Sequence, residues 1–164
     1  MSASSALATG LAEAFDRSFA ALPAPAPQGL RDFVTIHLGA QSCAVALEEI
    51  AGIVPVARIT RLPGGAASLL GAMGLQGDIV FVHHIARLLG VAETPPHWAL
   101  LAATDRATAF AFEWPGGCLR LAAADIATVS GNGPFHAAIV AGGQRRPVLS
   151  LRALLDRIQS RSAS

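Results

Sequence analysis

Apolar and polar residues alternate in many short runs along this chain, and tight turns separate the runs. The first run, Asp32–Leu38, is followed by a turn at Gly39–Ser42 and by a return strand, Cys43–Leu47. An alternation with a period of two is typical of a β-strand that is buried on one face. Further strands are predicted at Ile53–Ala57, Ile79–Val82, Trp98–Ala103, Thr108–Glu113, Cys118–Ala122, Ile126–Val129, Ala137–Val140 and Pro147–Ser150. The pattern also predicts a helical turn or bend at Glu48–Ile50, a turn at Pro115–Gly117 and a C-terminal helix at Leu151–Ile158. Many short strands with only short helices predict a mainly β, barrel-like fold.

The stretch from residue 68 to residue 90 carries the strongest local signals. It contains three glycines at intervals of three: Gly71, Gly74 and Gly77. Glycine permits tight turns and close packing of the backbone, and we expect these three to shape a turn. The pattern predicts a short helix before that turn and, after it, a buried strand at Ile79–Val82 that is apolar on both faces. A second short helix follows His83 and stops at Gly90.

Two pairs of segments in the chain resemble one another. They are Val82–Leu89 with Val148–Leu155, and Val45–Ile53 with Leu121–Val129. In the first pair, a strand ends at a polar residue and a short amphipathic helix begins there. That polar residue is Ser150 in one copy, a good helix N-cap, and His84 in the other, a cap that is weaker by roughly 1 kcal/mol. The repeats predict two similar half-domains within one folding unit.

The composition indicates a folded chain that has more apolar residues than its core needs. The 164 residues are 52% hydrophobic and 14% charged, which is enough to bury a core and excludes a disordered chain. This high fraction of hydrophobic residues, with few charged ones, predicts an exposed hydrophobic patch and therefore a protein partner. The net charge is +1, and neither a basic stripe nor an interleaved set of aromatic residues is present, so we do not expect nucleic-acid binding.

The cysteines and the N-terminal sequence indicate a cytoplasmic protein. Cys43 and Cys118 lie in apolar strand contexts and are predicted to be buried thiols rather than a disulfide. We find no signal peptide and no apolar run long enough to cross a bilayer, so no direct membrane insertion is expected.

The first 30 residues differ from the rest of the chain. Residues 1–22 predict an amphipathic helix whose apolar stripe consists of Leu7, Leu11, Phe15, Phe19 and Leu22. Pro23–Pro27 forms a stiff connector that cannot be helical. We therefore divide the chain into a helix with an Ala/Pro linker at 1–30, a main domain at 31–158 and a tail at 159–164. The helix either docks on its own domain or serves as an arm that binds a partner.

The sequence contains no recognisable catalytic, cofactor or metal motif. His83 and His84 are adjacent, so in a strand they point to opposite faces and cannot share a metal ion. The remaining histidines are isolated, no cysteine pair has zinc spacing, and no phosphate-binding loop or nucleophile elbow is found. Glu48 and Glu49 have no second acid facing them in the pattern, so a paired-carboxylate site is not predicted. We expect a protein that is not an enzyme and has no cofactor.

Residues 71–85 resemble the signature of CheW-like adaptor domains, G-x-x-N-L-R-G-x-I-V-P-V-x-D-L. The Leu62-Pro63 pair, the Val45–Ile53 segment and the closing hairpin and helix at Arg146–Leu155 fall where that family has its counterparts. The likeness covers about residues 31–158. It implies two SH3-like five-stranded β-barrels around a shared apolar core, and no enzymatic chemistry. It also implies two partners: the regulatory domain of a CheA-type histidine kinase and the cytoplasmic tip of a chemoreceptor.

The chain departs from that signature at four positions. Gly74 stands for the family Asn, Gln76 for Arg, Phe81 for Pro and His84 for Asp. Glutamine replaces neither the charge nor the bidentate reach of arginine.

From the resemblance we expect a partner-binding surface made of Leu75, Gln76 and Phe81 near the turn, with Ile53 and Val54 on a neighbouring strand. Gly71, Gly74 and Gly77 would hold its shape. An adaptor of the same fold that serves another signalling system or sequesters a kinase is the first alternative function. A small-molecule or metal-binding β-barrel that uses the histidines is the second.

Overall fold

The computed structural model of the protein describes residues 29–131 and 133–162. The strands in these ranges are β1 (Leu30–Leu38), β2 (Gln41–Ala46), β3 (Ile50–Pro55), β4 (Ile59–Thr60), β5 (Leu69–Leu75), β6 (Asp78–His84), β7 (Trp98–Ala102), β8 (Thr108–Phe112), β9 (Trp114–Ala122), β10 (Ile126–Thr128), β11 (Phe135–Ala141) and β12 (Gln144–Leu149). The helices are α1 (Ile85–Leu89) and α2 (Leu151–Ser162), and short 3-10 turns lie at Leu47–Glu49 and Ala123–Asp125. The predicted N-terminal helix at residues 1–22 and its Pro23–Pro27 connector lie outside the described residues. Helix α2 continues into the segment that the sequence assigned to a tail.

The strands form two six-stranded sheets, which confirms the mainly β fold with two subdomains. Sheet 1 has the order β3-β7-β8-β6-β5-β4, and sheet 2 has the order β10-β11-β12-β2-β1-β9. Near the centre of each sheet lies a parallel pair, β6 with β8 and β12 with β2. Each sheet therefore takes four strands from one half of the chain and two from the other, so the two halves exchange strands.

Side chains on the central strands alternate between two cores. On β8, Phe110 and Phe112 point into a core that both sheets share, whereas Ala109 and Ala111 point into the interior of sheet 1. On β2, Val45 faces the shared core while the flanking alanines face the interior of sheet 2. Alanine suits the narrow interior of a tightly curled sheet, and the larger side chains fill the wider space between the sheets. Both helices add leucine or isoleucine side chains to this shared core.

The two sequence repeats correspond to repeated local structures. The strand-to-helix junctions at His84 and Ser150 begin α1 and α2. The second pair of segments contains the two 3-10 turns, each followed by a strand that begins at Ile50 or Ile126. These strands take different places, because β3 pairs with β7 in sheet 1 and β10 pairs with β11 in sheet 2.

The prediction of a helix before the glycine turn is wrong, since Leu69–Leu75 is strand β5 between β4 and β6. Gly71 has a φ of 146°, and a Cβ atom there would lie 2.1 Å from the carbonyl oxygen of Thr60. A side chain at this position would push β4 away from β5. The glycine therefore serves close strand packing rather than a turn.

Strand β6 is not buried on both faces as predicted. Val80 and Val82 are buried, but Ile79 is 67% and Phe81 is 42% exposed. The run is uniformly apolar in sequence, so only the position of the strand in the sheet reveals which face is covered.

The predicted turn at Pro115–Gly117 is also wrong, because these residues belong to the nine-residue strand β9. Strand β9 approaches β1 so closely that a Cβ atom at Gly116 would lie 2.1 Å from the Thr35 hydroxyl oxygen. Cys118, on the same strand, is exposed rather than buried. Cys43 is buried as predicted, and its burial raises the pKa of the thiol to about 12, so it stays protonated at neutral pH.

Candidate functional site

The turn between β5 and β6 consists of Gln76 and Gly77. Their φ angles are 50° and 91°, both in the left-handed region, as a tight two-residue hairpin turn requires. Glycine adopts this conformation freely, whereas glutamine adopts it at a cost of order 1–2 kcal/mol. Gln76 is exposed at the tip of the hairpin. The structure thus places the residue that replaces the signature arginine on a protruding turn.

The outward-pointing side of β4, β5 and β6 presents two large apolar side chains. Ile79 lies opposite Gly74, and Phe81 lies opposite Ala72, which in turn lies opposite Thr60 of β4. We call these five residues the outer face of sheet 1. Its other members are small, so the side chains of Ile79 and Phe81 rise above their surroundings. A Cβ atom at Gly74 would meet no atom within 4 Å, so its backbone surroundings do not require glycine.

A cleft of about 250 Å³ opens beside the hairpin turn. Its lining consists of Ala51, Leu75, Gln76, Asp78, Val80, Leu101, Ala102 and Arg106. The aliphatic residues form an apolar floor, and the amide, carboxylate and guanidinium groups stand at its rim. We call it the hairpin cleft.

The predicted partner-binding residues occupy three different places. Leu75 and Gln76 line the hairpin cleft, and Phe81 lies on the outer face of sheet 1. Ile53 and Val54 lie on β3, at the opposite edge of the sheet, with β7 and β8 between them and β6. The prediction that these two residues lie on a neighbouring strand is therefore wrong.

Sequence reasoning missed Ile79 and Arg106. Ile79 was assigned to a buried strand, although it is the most exposed large apolar side chain of the described residues. Arg106 comes from the turn between β7 and β8, far from the signature along the chain, and only the parallel pairing of β6 with β8 brings it to the hairpin cleft. No local sequence pattern signals such a pairing.

The adjacent histidines at the end of β6 are buried structural groups. His83 Nδ1 lies 3.1 Å from the Ser68 hydroxyl, and burial lowers the pKa of His83. His84 Nδ1 accepts a hydrogen bond from the Ala86 amide at 3.2 Å, so this side chain caps helix α1. Its Nε2 donates to the Thr94 carbonyl oxygen at 2.9 Å. Among the described residues, no group of three or more histidine, cysteine or acidic side chains could hold a metal ion.

A second cavity, of about 340 Å³, lies at the beginning of α2. There the Glu49 carboxylate accepts hydrogen bonds from the backbone amides of Leu151 and Arg152, and the Ser150 hydroxyl accepts one from Ala153 at 3.3 Å. An acid at a helix N-terminus satisfies unpaired amides and interacts favourably with the helix dipole. Glu49 therefore joins the 3-10 turn after β2 to helix α2, which is a structural task.

Within the described ranges, no helix has the length and apolar character needed to cross a membrane. The family model of the CheW-like domain matches residues 32–159. Among solved structures, the chain is similar to the scaffolding protein TtCheW from Thermoanaerobacter tengcongensis, with a TM-score of 0.68 and 12% sequence identity. That match covers 76% of this chain and 91% of TtCheW. No curated protein sequence matches the chain.

Proposed function

This chain belongs to the CheW-like family, and from that membership we infer that it is a scaffold of bacterial chemosensory signalling that docks the regulatory domain of a CheA-type histidine kinase. The observation that carries the proposal is the exposure of Ile79 and Phe81 on the outer face of sheet 1. Members of this family act as scaffolds rather than enzymes, and the proposed role requires a surface instead of a catalytic group. We place the protein in the cytoplasm, where such a kinase domain would be met.

The outer face has the physical character of a docking surface. Its two large apolar side chains are held by a sheet whose opposite side is packed, since Met73, Val80 and Val82 are buried beneath them. Such a surface is already ordered before binding, so little conformational entropy is lost when a partner covers it. Burial of apolar side chains at the centre of a small interface gives modest, reversible affinity.

The hairpin cleft offers a second contact, and we assign it to the cytoplasmic tip of a chemoreceptor. Leu75 supplies an apolar wall, and Gln76 supplies an uncharged amide that both donates and accepts hydrogen bonds. The cleft and the outer face lie on the same hairpin, so one protein can hold both partners side by side. Ile53 and Val54 pack against the core and are not part of the proposed surface.

The test measures binding of the kinase regulatory domain by isothermal titration calorimetry. We expect Ile79→Asp and Phe81→Asp each to weaken binding by at least tenfold, since a carboxylate would be buried against an apolar partner. Val140→Asp is the matched control, because Val140 is 53% exposed on β11 of sheet 2. Circular dichroism checks that each variant keeps the native fold.

Three results would contradict the proposal. One is unchanged binding by both Ile79→Asp and Phe81→Asp, and another is equal loss with Val140→Asp. The third is no binding of the unaltered protein at tens of micromolar. In that last case, an adaptor for another signalling system becomes the better hypothesis.

A further inference from the structure

We propose that the hairpin cleft is a binding site for a free α-amino acid that has an apolar side chain. The ammonium group of this ligand meets Asp78, its carboxylate meets Arg106, and its side chain lies on the apolar floor of the cleft. The inference goes beyond the proposed function, since it requires neither the kinase nor the chemoreceptor. A bound amino acid would compete with the chemoreceptor tip for the same residues.

The floor of the cleft is the open end of the apolar interior of sheet 1. Val80, which is 1% exposed, belongs to that core, and Leu75 and Leu101 pack against it. Ala102, also part of the floor, is completely buried. Ligand sites in β-barrels often lie at the mouth of the barrel, on apolar side chains that are already in place. The floor therefore offers an ordered apolar surface to the side chain of a ligand.

A β-bulge forms another side of the cleft. The register of β3 with β7 shifts between Ile50 and Gly52, so Ala51 is the extra residue of the bulge. Ala51 lines the cleft. Bulges bend a strand locally, and they are frequent at the rims of barrels and beside functional sites. The cleft thus lies where the regular strand pairing of sheet 1 is interrupted.

The rim of the cleft carries one acid and one base. Asp78 begins β6, and by alternation along the strand it shares the side of Val80. Arg106 comes from the turn between β7 and β8. Both are exposed and line the same cleft. Within residues 29–131 and 133–162, neither forms an ion pair, so both charges are available to a ligand.

The acid next to Arg106 in the sequence does not neutralise it. The carboxylate of Asp105 is occupied within its own turn, where one oxygen accepts a hydrogen bond from the Ala107 amide at 2.9 Å. The other oxygen accepts one from the Thr108 hydroxyl at 2.8 Å. Asp105 therefore orders the turn that presents Arg106.

The departure from the family signature at Gln76 balances the charge of the rim. An arginine at this position would set two cations against one acid, whereas glutamine leaves one carboxylate and one guanidinium. The amide of Gln76 both donates and accepts hydrogen bonds, so it can contact either end of a zwitterion. A balanced pair of opposite charges above an apolar floor is complementary to a zwitterion with an apolar side chain. Guanidinium groups also bind carboxylates in a bidentate manner.

The size of the cleft and its two charges favour a free amino acid over a peptide. The volume of about 250 Å³ lies just below the roughly 300–1,000 Å³ of sites for drug-sized ligands, so it suits a smaller molecule. A residue within a peptide chain carries neither an ammonium group nor an α-carboxylate, and a chain terminus carries only one of them. A free amino acid carries both, side by side.

The experiment titrates the ¹⁵N-labelled protein with L-leucine and follows the backbone amides by NMR. We expect saturable shifts of the cleft residues, with a dissociation constant of order 1 mM or below. Asp78→Asn and Arg106→Gln should each weaken binding roughly three- to tenfold, since each removes one charged partner. Asp156→Asn and Arg145→Gln are the matched controls, because both residues are exposed and lie outside the cleft. They should stay within about twofold of the unaltered protein.

Ligand analogues assign each charge of the ligand to its partner. L-Leucinamide lacks the carboxylate, so its binding should be the same in the unaltered protein and in Arg106→Gln. N-Acetyl-L-leucine lacks the ammonium group, so its binding should not change in Asp78→Asn. Glycine has no apolar side chain and should bind at least about tenfold more weakly than L-leucine.

The pattern of these results decides the inference. Saturable binding that each cleft variant weakens, with silent controls and the expected response to the analogues, supports it. The inference is overturned if L-leucine causes no saturable shift of the cleft amides at about ten times the expected dissociation constant. It is also overturned if Asp78→Asn and Arg106→Gln bind L-leucine as the controls do. Kinase docking at the outer face is measured separately, so either idea can fail while the other stands.

Discussion

At the scale of single residues, the two histidines that end β6 show how a side chain acquires a structural role from its partners. The Ala86 amide can only donate and the Thr94 carbonyl can only accept, so in these contacts His84 accepts through Nδ1 and donates through Nε2. The ring of His84 therefore serves as the N-cap of helix α1.

His83 makes the stability of the protein depend on pH. Burial lowers its pKa below 6.5 in the folded state, so the unfolded chain binds a proton at a higher pH than the folded chain does. The stability contributed by neutral His83 is complete above pH 6.5 and is lost as the pH falls below that value. We expect urea unfolding between pH 7.5 and pH 5 to show this decrease, with a slope of at most about 1.4 kcal/mol per pH unit for this group.

The control for this prediction is His83→Gln, which retains a polar side chain but cannot titrate. Its stability should fall less steeply below pH 6.5 than that of the unaltered protein. Equal slopes for the two proteins would show that His83 does not contribute.

At the scale of elements, helix α2 depends on a residue that is distant along the chain. Glu49, in the 3-10 turn after β2, accepts hydrogen bonds from two amides at the helix N-terminus. The contact joins the 3-10 turn at Leu47–Glu49 to helix α2, although these two elements belong to different pairs of repeated segments. It also explains why Glu48 and Glu49, though adjacent, differ in role, since Glu48 pairs with Arg31 at the surface.

Glu49→Gln should therefore destabilise the protein by about 1–2 kcal/mol, because the charged acceptor at the helix N-terminus is lost. Glu48→Gln is the matched control and should cost no more than about 1 kcal/mol, since an exposed ion pair contributes little. Urea unfolding followed by circular dichroism at the helical band measures both. A larger effect at Glu48 than at Glu49 would refute the assignment.

At the scale of the whole molecule, the exchange of strands makes the two sheets one cooperative unit. Strands β7 and β8 come from the second half of the chain but complete sheet 1, while β1 and β2 complete sheet 2. Phe110, Phe112 and the leucines of α2 then close a core to which both sheets contribute. If either sheet unfolded, the side chains that the other sheet contributes to the shared core would be exposed to solvent.

The two tryptophans test this cooperativity, because Trp98 lies on β7 of sheet 1 and Trp114 on β9 of sheet 2. Trp98→Phe leaves a reporter in sheet 2, and Trp114→Phe leaves one in sheet 1. For each single-tryptophan variant, we expect the fluorescence transition in urea to coincide with that of circular dichroism. A reporter whose transition separates from the loss of secondary structure would show that its sheet unfolds independently.

Much of the local structure follows from the sequence. The hairpin at Gly39, the hairpin around Asp105, the stop of α1 at Gly90 and the two strand-to-helix junctions were all predicted, because turn and cap residues act on their immediate neighbours. The predictions were wrong where packing against distant parts of the chain decides the conformation or the exposed face of a segment. Uniformly apolar β6 does not reveal its exposed face, and glycine-rich β5 is extended because β4 and β6 pair with it.

The sequence by itself determined the family, the mainly β architecture, the repeat and the position of the turn at Gln76, since these depend on local turn chemistry and on the order of the elements. Only the tertiary structure decided which strands exchange between the sheets, that β7 and β8 separate β3 from β6 in the order of sheet 1, and that Ile79 stands exposed beside Phe81. The physical reason is that strand pairing joins residues far apart in the chain, and the covered face of a strand is set by its neighbours rather than by its own sequence.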